Sequence, residues 1–215
     1  MKNQRARSDD DKAQRAEDLL AAAESLVLEL GGVRYVTLAK VTERAGIHRT
    51  GVRRYFENKE ELLLELAERG WQQWRASVEE RLVGRSGLGP TEVADVLSGT
   101  LCALPIFCDV LTHVPLTLEG DVSIDRAHRF KTNSFQAHDA IVLAIAGASS
   151  LSPAQVIDLI PAVAAVAAAF WQFSHPTPSL AELYRQVPEW GHVAYEFESK
   201  VRLLARATAI GLAAE

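Results

Sequence analysis

The apolar residues of the chain recur with the period of an α-helix and not with the alternation of a strand. One clear stripe lies near the N-terminus and is followed directly by two glycines. Its members are Leu19, Leu20, Ala23, Leu26, Val27 and Leu30. Glycine is favoured just beyond a helix C-terminus. The pattern therefore predicts a first helix over about 10–30, with the aspartates at positions 9 to 11 at its positive end.

Capping residues and breakers divide the rest of the chain into further helices. Thr37 is suited to cap a short helix through 45, Gly46 breaks it, and a second short helix follows over about 48–55. Asn58 with Glu61 indicates the start of a long helix to about 83. More helices are predicted over about 90–105, 106–113, 123–146, 152–174 and 193–213, with 114–121 as a loop. These predictions describe an all-α protein of about nine helices.

Composition excludes several protein classes. The chain is 48% hydrophobic, with 13 Gly, 8 Pro and two cysteines, Cys102 and Cys108. These values argue against a disordered chain, a collagen or a disulfide-stapled secreted fold. The longest apolar run is 159–171, whereas a membrane span needs about 18 residues or more. With no signal-peptide pattern at the start, we expect a soluble cytoplasmic protein, a buried helix at 159–171 and no membrane partner.

The charge is distributed unevenly along the chain. The whole chain carries a net charge of −5, but the segment 33–59 contains seven basic and only two acidic residues. The remainder is therefore strongly acidic. A basic segment on an acidic protein predicts one face that binds an anion such as nucleic acid.

The basic segment also has the pattern of a helix-turn-helix over 38–56. Such a motif needs two short helices that pack around a tight turn. Val41 and Ala45 are spaced to face inward from the first helix, Gly46 suits the turn, and Val52 suits the inner face of the second helix. On the other side of that second helix, Arg49, Thr50, Arg53 and Arg54 lie within a narrow arc. Guanidinium groups match guanine edges and phosphates, so this face predicts DNA binding.

These residues resemble the DNA-binding module of tetracycline-repressor-like (TetR) transcriptional regulators. The resemblance covers about 13–71 and is carried by VTLAKVTERAGIHRTGVRRYFENKEELL, including Thr37, the turn at 45–47 and the segment 59–62. It implies an all-helical homodimer, with phosphate contacts from Thr37, Tyr55 and Lys59 and base contacts from 48–54. Since the family often has an aromatic residue at the position of Arg53, that arginine is left as either a base or a phosphate contact. The DNA-binding set is Thr37, Lys40, His48, Arg49, Thr50, Arg53, Arg54, Tyr55 and Lys59.

The resemblance divides the chain into a helix-turn-helix domain, 10–70, and an effector-binding and dimerisation domain, 71–215. Aromatic and polar side chains from separate helices are typical of apolar ligand pockets. The predicted ligand-binding residues are Trp74, Phe107, His113, Phe135, His138 and Trp171. The last two long helices are expected to form the dimer interface, with Val163, Val166, Phe197, Val201, Leu204 and Thr208 as its residues.

Two other classes of function were weighed against a DNA-binding regulator. For an enzyme, the sequence offers no HExxH, GxSxG, P-loop or CxxC pattern, and no two of its six histidines stand four apart. We therefore expect no catalytic residue, metal or cofactor. A helical domain whose basic face binds an acidic protein is the other alternative. The favoured hypothesis is a repressor that a small, mostly apolar effector releases from a palindromic double-stranded DNA operator.

Overall fold

A computed structural model describes residues 2–48, 51–193 and 196–215, with the side chains of 2–10 and 192–193 left undescribed. Within these ranges the fold is all-α, as predicted, with nine α-helices and a single isolated bridge between Leu88 and Ser149. The helices are α1 (Lys2–Leu30), α2 (Leu38–Arg44), α3 (Lys59–Leu82), α4 (Pro90–Cys102), α5 (Pro105–His113), α6 (Ile124–Ala148), α7 (Pro153–Ser174), α8 (Pro178–Gln186) and α9 (Phe197–Ala213). Short 3-10 turns lie at Val33–Tyr35, Val52–Arg54 and Pro188–Val193.

The predicted caps are confirmed at the starts of α2, α3, α6 and α7. The Thr37 hydroxyl accepts a hydrogen bond from the Lys40 amide, and the Asn58 side chain accepts one from the Glu61 amide at 2.8 Å. Ser123 and Ser152 cap the other two helices. These bonds satisfy amides that have no partner inside a helix, so they fix where each helix begins.

Besides the turn after α2, four features differ from the sequence-based expectations by more than three residues. Helix α1 begins at Lys2, so the aspartates at 9 to 11 lie within it; five of the seven residues at 2–8 are Lys, Arg, Gln or Ala, which are good helix formers, and none is glycine or proline. The predicted loop contains a π-helical turn, Val114–Leu118, at a proline that interrupts regular bonding. Helix α8 was not predicted, although a proline at its first turn favours a helix start. Helix α9 begins four residues later than expected.

The helix-turn-helix is built from α1, α2 and the turn that follows α2. Gly46 has φ of +64°, a left-handed conformation that glycine adopts without strain. Val41, Val52 and Phe56 are buried beneath it. Where a helix over 48–55 was predicted, the described residues form a 3-10 turn with i→i+3 bonds such as Arg54 amide to Gly51 carbonyl. Glycine at 51 weakens a regular helix here.

In the C-terminal half, α4, α5 and α6 pack against α3, and α7 and α9 pack against each other and against α4. The core of this half includes Trp74, Phe107, Ile141 and Leu159, each at most 2% exposed. Of the described helices, α7 alone has the length and apolar composition to cross a membrane by itself. One face of α7 packs in this core against α5 and α9.

The two cysteines are free thiols in this core. Burial raises the pKa of Cys102 to about 12, and it also raises the pKa of Cys108, whose Sγ donates to the Leu101 carbonyl. Neither thiol is therefore a ready nucleophile at neutral pH. The described residues hold no cluster of three or more His, Cys, Asp or Glu side chains placed to bind a metal ion.

Candidate functional site

A basic surface lies where the sequence places it, on the helix-turn-helix. Arg53 and Arg54 are exposed on the turn after α2, and Lys40 is exposed on α2. Lys59 is half-buried at the first position of α3, and this burial lowers its pKa while neighbouring Glu60 acts to raise it. A lysine is unfavourable at the positive end of a helix, so its presence there fits a role toward an external anion. The other two basic-face residues, Arg49 and Thr50, lie outside the described residues.

Hydroxyl and aromatic groups flank these cations. The Thr37 oxygen already accepts the Lys40 amide at 3.3 Å, so its proton can be donated outward. Tyr55 is half-buried, with its ring packed against the core, and His48 is exposed. The surface therefore combines hydrogen-bond donors with positive charge, which is the combination that phosphate recognition needs.

Two arginines of the basic segment take no part in this surface. Arg44 donates to Glu29 at 2.5 Å and to Ser25 at 2.8 Å, both on α1. Arg34 donates to the side chain of Gln172, far along the chain on α7. The sequence alone does not distinguish these two arginines from the other five basic residues of the segment. In the structure, their side chains bond to other parts of the chain and stabilise the fold.

A cavity of about 410 Å³ opens between α3, α5, α6 and α7. Its wall is mainly apolar, and the volume lies within the range of about 300–1,000 Å³ that is typical of small-molecule sites. The lining residues are Trp71, Leu111, Val114, Pro115, Glu119, Phe130, Lys131, Ser134, Phe135, His138, Ile157 and Pro161. A smaller cavity of about 210 Å³ shares Trp71, Leu111, His138 and Pro161 with it and extends along the alanines of α7.

Few polar groups face this cavity. Ser134 Oγ is buried without a hydrogen-bond partner in the described part of the chain. His138 Nδ1 lies 3.1 Å from the Asp139 carboxylate, and Lys131 forms an ion pair with Glu119 at 2.7 Å. The two formal charges in the wall therefore neutralise each other, while the serine hydroxyl is left to bind a ligand group.

Comparison with known protein families identifies the family of this protein, which combines a basic surface with an apolar cavity. Residues 19–66 match the model described as bacterial regulatory proteins, tetR family, and residues 68–215 match the tetracyclin repressor-like C-terminal domain. The chain belongs to the TetR family. It is therefore a DNA-binding transcriptional regulator with a helical ligand-binding C-terminal domain, in a family of regulators and not of enzymes. No curated protein matches the chain.

In this TetR-family protein, only two of the six predicted ligand residues line the cavity. Phe135 and His138 do so from α6. Trp74 and Phe107 are buried behind Trp71, with the Trp71 and Phe107 rings 5.5 Å apart. Three lining residues on α6 were missed: Phe130 and Ser134 stand eight and four positions before His138, and Lys131 stands four before Phe135. That i, i+4 spacing was the available signal for a shared helix face.

The other two predicted ligand residues lie elsewhere. Trp171 stacks on His175 at 3.8 Å and meets the edge of Phe197, so it joins the end of α7 to the start of α9. His113 is half-buried at the end of α5, and burial lowers its pKa while Asp109 acts to raise it. Neither side chain lines the cavity. An aromatic or polar residue type does not by itself determine which neighbour a helix position faces.

The predicted dimer residues also divide by burial. Val163 and Val201 are at most 1% exposed and pack in the core of the single chain. Val166, Phe197 and Thr208 are half-buried. Leu204 is exposed on α9, as are Leu203 and Ile210, which are not among the predicted interface residues. The apolar positions of α9 serve two faces, and only the outer one is available to another subunit.

A polar ladder joins α3 to α6 beside the cavity. Arg126 is 4% exposed and pairs with Glu65 at 3.0 Å and with Glu68 at 3.1 Å, and Asn133 also donates to Glu68. Burial lowers the pKa of Arg126, whereas Glu65 raises it. Because both carboxylate partners of the buried guanidinium lie on α3, moving α6 away from α3 would leave the charge of Arg126 unpaired, and the ladder opposes such a movement.

Proposed function

We propose that this TetR-family regulator is a repressor that binds a palindromic operator as a homodimer and is released by a small, mostly apolar effector. The observation that carries the proposal is the continuity of α3. This single helix, Lys59–Leu82, begins at the basic surface and carries Trp71 into the cavity wall. An effector that displaces α3 at Trp71 therefore also displaces the residues at its N-terminus.

For DNA recognition, we assign base contacts to the exposed arginines on the turn after α2 and phosphate contacts to the groups around them. Arg53 and Arg54 are the described base-reading candidates. The full proposed set remains Thr37, Lys40, His48, Arg49, Thr50, Arg53, Arg54, Tyr55 and Lys59. Two copies of this surface, about 34–36 Å apart in a dimer, would meet successive turns of one DNA face.

The cavity lining supports an uncharged effector of drug-like size. Aromatic and aliphatic side chains form most of the wall, and Lys131 and Glu119 neutralise each other. Ser134, with His138 on the next turn of α6, offers hydrogen bonds to one polar group of the ligand. A strongly charged compound would be desolvated there without a counter-charge, which costs binding energy.

The proposed dimer uses the outer faces of α7 and α9. Leu203, Leu204 and Ile210 are exposed on α9, and α7, which packs beside α9, carries exposed Phe173. A homodimer is typical of the family, and a permanent interface of this kind buries about 2,000 Å² or more. We keep 10–70 and 71–215 as the two domains and place the protein in the cytoplasm, where it meets its operator.

Effector and operator would then oppose each other by linkage. The helix-turn-helix domain, 10–70, is called the DNA-binding head below. If the effector favours a position of the head that fits DNA less well, DNA binding must weaken effector binding by the same factor. A 100-fold change in operator affinity requires only about 2.7 kcal/mol of differential effector binding. This coupling free energy is small compared with the total stability of a folded domain.

The DNA-binding assignment is tested with two charge-matched variants. A duplex selected from a random pool is compared with the unselected pool by fluorescence anisotropy at physiological salt. We expect Arg53→Ala to weaken binding to the selected duplex by about 1–3 kcal/mol and to relax the preference at one base pair. Arg44→Ala removes the same charge from an arginine that bonds to α1, so it should change affinity little and selectivity not at all.

Two results would contradict the assignment. One is equal affinity of the wild type for the selected duplex and for the random pool. The other is an equal loss of affinity in Arg53→Ala and Arg44→Ala, which would reduce the role of Arg53 to general electrostatic attraction.

A further inference from the structure

A buried carboxylate from the C-terminal half reaches into the DNA-binding head. Asp109 on α5 is 1% exposed, yet it lies among the apolar residues of its helix. Its Oδ2 accepts the backbone amide of Val33 at 2.7 Å. Val33 begins the 3-10 turn Val33–Tyr35, and only Val36 separates that turn from the Thr37 cap of α2. The hydrogen bond thus joins two residues 76 positions apart, across the boundary between the two halves.

Gln172 extends this contact to a third helix. Its Nε2 donates to Asp109 Oδ1 at 2.9 Å, and its Oε1 accepts from Arg34 Nη2 at 3.2 Å. Arg34 also donates to the carbonyl of His175 at the end of α7. A relay therefore runs from the Val33 amide through Asp109 and Gln172 to the Arg34 guanidinium. Both ends of the relay lie in the head, and both central side chains lie in the C-terminal half.

From these contacts we propose that Asp109 and Gln172 are positioning residues that fix the angle of the DNA-binding head and report the state of the cavity to it. The two residues, together with the Val33–Arg34 turn that they hold, are called the clamp below. The part of the proposal that concerns the cavity rests on the proposed effector function. The part that concerns operator affinity rests only on DNA binding.

The helices that supply the clamp also form the cavity wall. On α5, Leu111 lines the cavity two residues after Asp109. On α7, Ala168 lines the smaller cavity one turn before Gln172, and its carbonyl accepts the Thr112 hydroxyl of α5 at 2.9 Å. A ligand that separates or rotates α5 and α7 must therefore change the geometry of the clamp. This route is distinct from α3, which contributes none of the clamp side chains.

The backbone beside the clamp is adapted to the close approach of Asp109. Gly32 has φ of +150°, a region that side-chain-bearing residues rarely adopt. A Cβ built at Gly32 would lie 3.3 Å from Asp109 Oδ2. The glycine thus allows the carboxylate to reach the Val33 amide, and the short bond holds an otherwise permissive segment in one conformation.

The clamp is tested in the full-length protein by exchanging the hydrogen-bond donor and acceptor between positions 109 and 172. Asp109→Asn keeps the size of the side chain but replaces one carboxylate oxygen with an NH₂ group. Two NH₂ donors, one from residue 109 and one from Gln172, then face each other. The double variant Asp109→Asn with Gln172→Glu restores the relay. In it, the new amide at position 109 can donate to the new carboxylate at position 172, and Arg34 can donate to that same carboxylate. The matched control is Asp95→Asn, which removes a carboxylate that pairs α4 with Arg206 of α9 and touches no head residue.

Two quantities are measured on each variant: affinity for the selected operator duplex without effector, and hydrogen exchange of the amides at 33–36. We expect Asp109→Asn to bind the operator about tenfold more weakly, a size expected when a hydrogen bond to a charged group is lost. Exchange at 33–36 should accelerate while exchange in the α7 core is unchanged. The double variant should recover most of the affinity, and Asp95→Asn should match the wild type in both measurements.

Wild-type operator affinity in folded Asp109→Asn would overturn the proposal, as would a folded double variant with no recovery. If Asp109→Asn does not fold, Gln172→Leu provides the same test from the other side of the relay, with the same expected loss. A wild type that responds to no cavity ligand would refute the effector function alone, because both clamp measurements are made without effector.

Discussion

The DNA-binding head and the C-terminal half differ in how their helix faces are used. In the head, each helix has one buried face and one exposed face: Val41 and Val52 point inward, while Lys40 and Arg53 point outward. In the C-terminal half, a single helix meets the core, the cavity and an exposed apolar surface at once. Helix α7 buries Val163, lines the cavity with Pro161 and exposes Phe173.

This difference explains where apolar residues identify a site and where they do not. In the head, the cations on the turn after α2 are exposed beside buried apolar residues, so their residue type points to an external anion. In the C-terminal half, an apolar residue can serve any of three faces. The helical period fixes its direction only relative to its own helix, and the packing of the other helices decides what it meets.

The largest expected effect comes from the exposed apolar face of α9. Leu203→Glu places a charge at a position that is 59% exposed in the single chain and that we assign to the dimer interface. We expect a monomer by light scattering. Operator affinity should fall about 100-fold or more, since linked half-sites gain roughly 10²–10⁴ in avidity.

Leu28→Glu is the matched control, because Leu28 is 62% exposed on α1. It should remain dimeric. A dimeric Leu203→Glu protein, or a monomeric wild type, would show that this face of α9 serves another purpose.

A smaller effect is expected from a substitution on α3 where this helix packs against the core. Gly70 lies on α3 against Phe107, and a Cβ added there would stand 2.2 Å from the Phe107 ring. We expect Gly70→Ala to lower the free energy of unfolding by about 1–3 kcal/mol through overpacking. Chemical denaturation followed by circular dichroism measures this change.

Gly99→Ala on α4 is the control, because a Cβ at Gly99 meets nothing within 4 Å. It should stabilise the protein by about 0.5–1 kcal/mol, as expected for replacing glycine in a helix interior. Equal effects of the two substitutions would mean that the contact between Gly70 and Phe107 does not constrain α3.

Residues whose structural role depends only on their close neighbours in the chain could be predicted from the sequence. Thr37, Asn58 and Ser152 cap helices within three residues of themselves, so their roles need no tertiary information. The burial of Val201 and the position of Trp74 depend on which helices pack beside them. The clamp could not be predicted, because its hydrogen bonds join residues 63, 76 and 138 positions apart.

The smallest effect is expected from the ion pair between Asp95 and Arg206. Their hydrogen bond lowers the pKa of Asp95, while burial opposes it, so the pair stabilises the fold above the unfolded-state pKa of about 3.9. That contribution is lost as the pH falls through the lowered folded-state pKa. Both side chains are more than a third exposed, so Asp95→Asn should lower the melting temperature at pH 7 by only about 1–3 °C.

Thermal unfolding of wild type and Asp95→Asn at a series of pH values measures the pair. The two stability curves should converge as the solution becomes acidic. A constant difference at all pH values would assign the effect to packing and not to charge.

The central claim is that the cavity and the DNA-binding head are coupled, and one reciprocal titration tests it most directly. Compounds are first selected by displacement of the neutral dye Nile red from the wild-type protein, with Trp71→Phe to locate binding at the cavity. Operator affinity is then measured with and without a saturating compound, and compound affinity with and without operator. The account predicts that both affinities fall by the same factor, about 10–100-fold. Unchanged affinities for every compound that binds at Trp71 would contradict it.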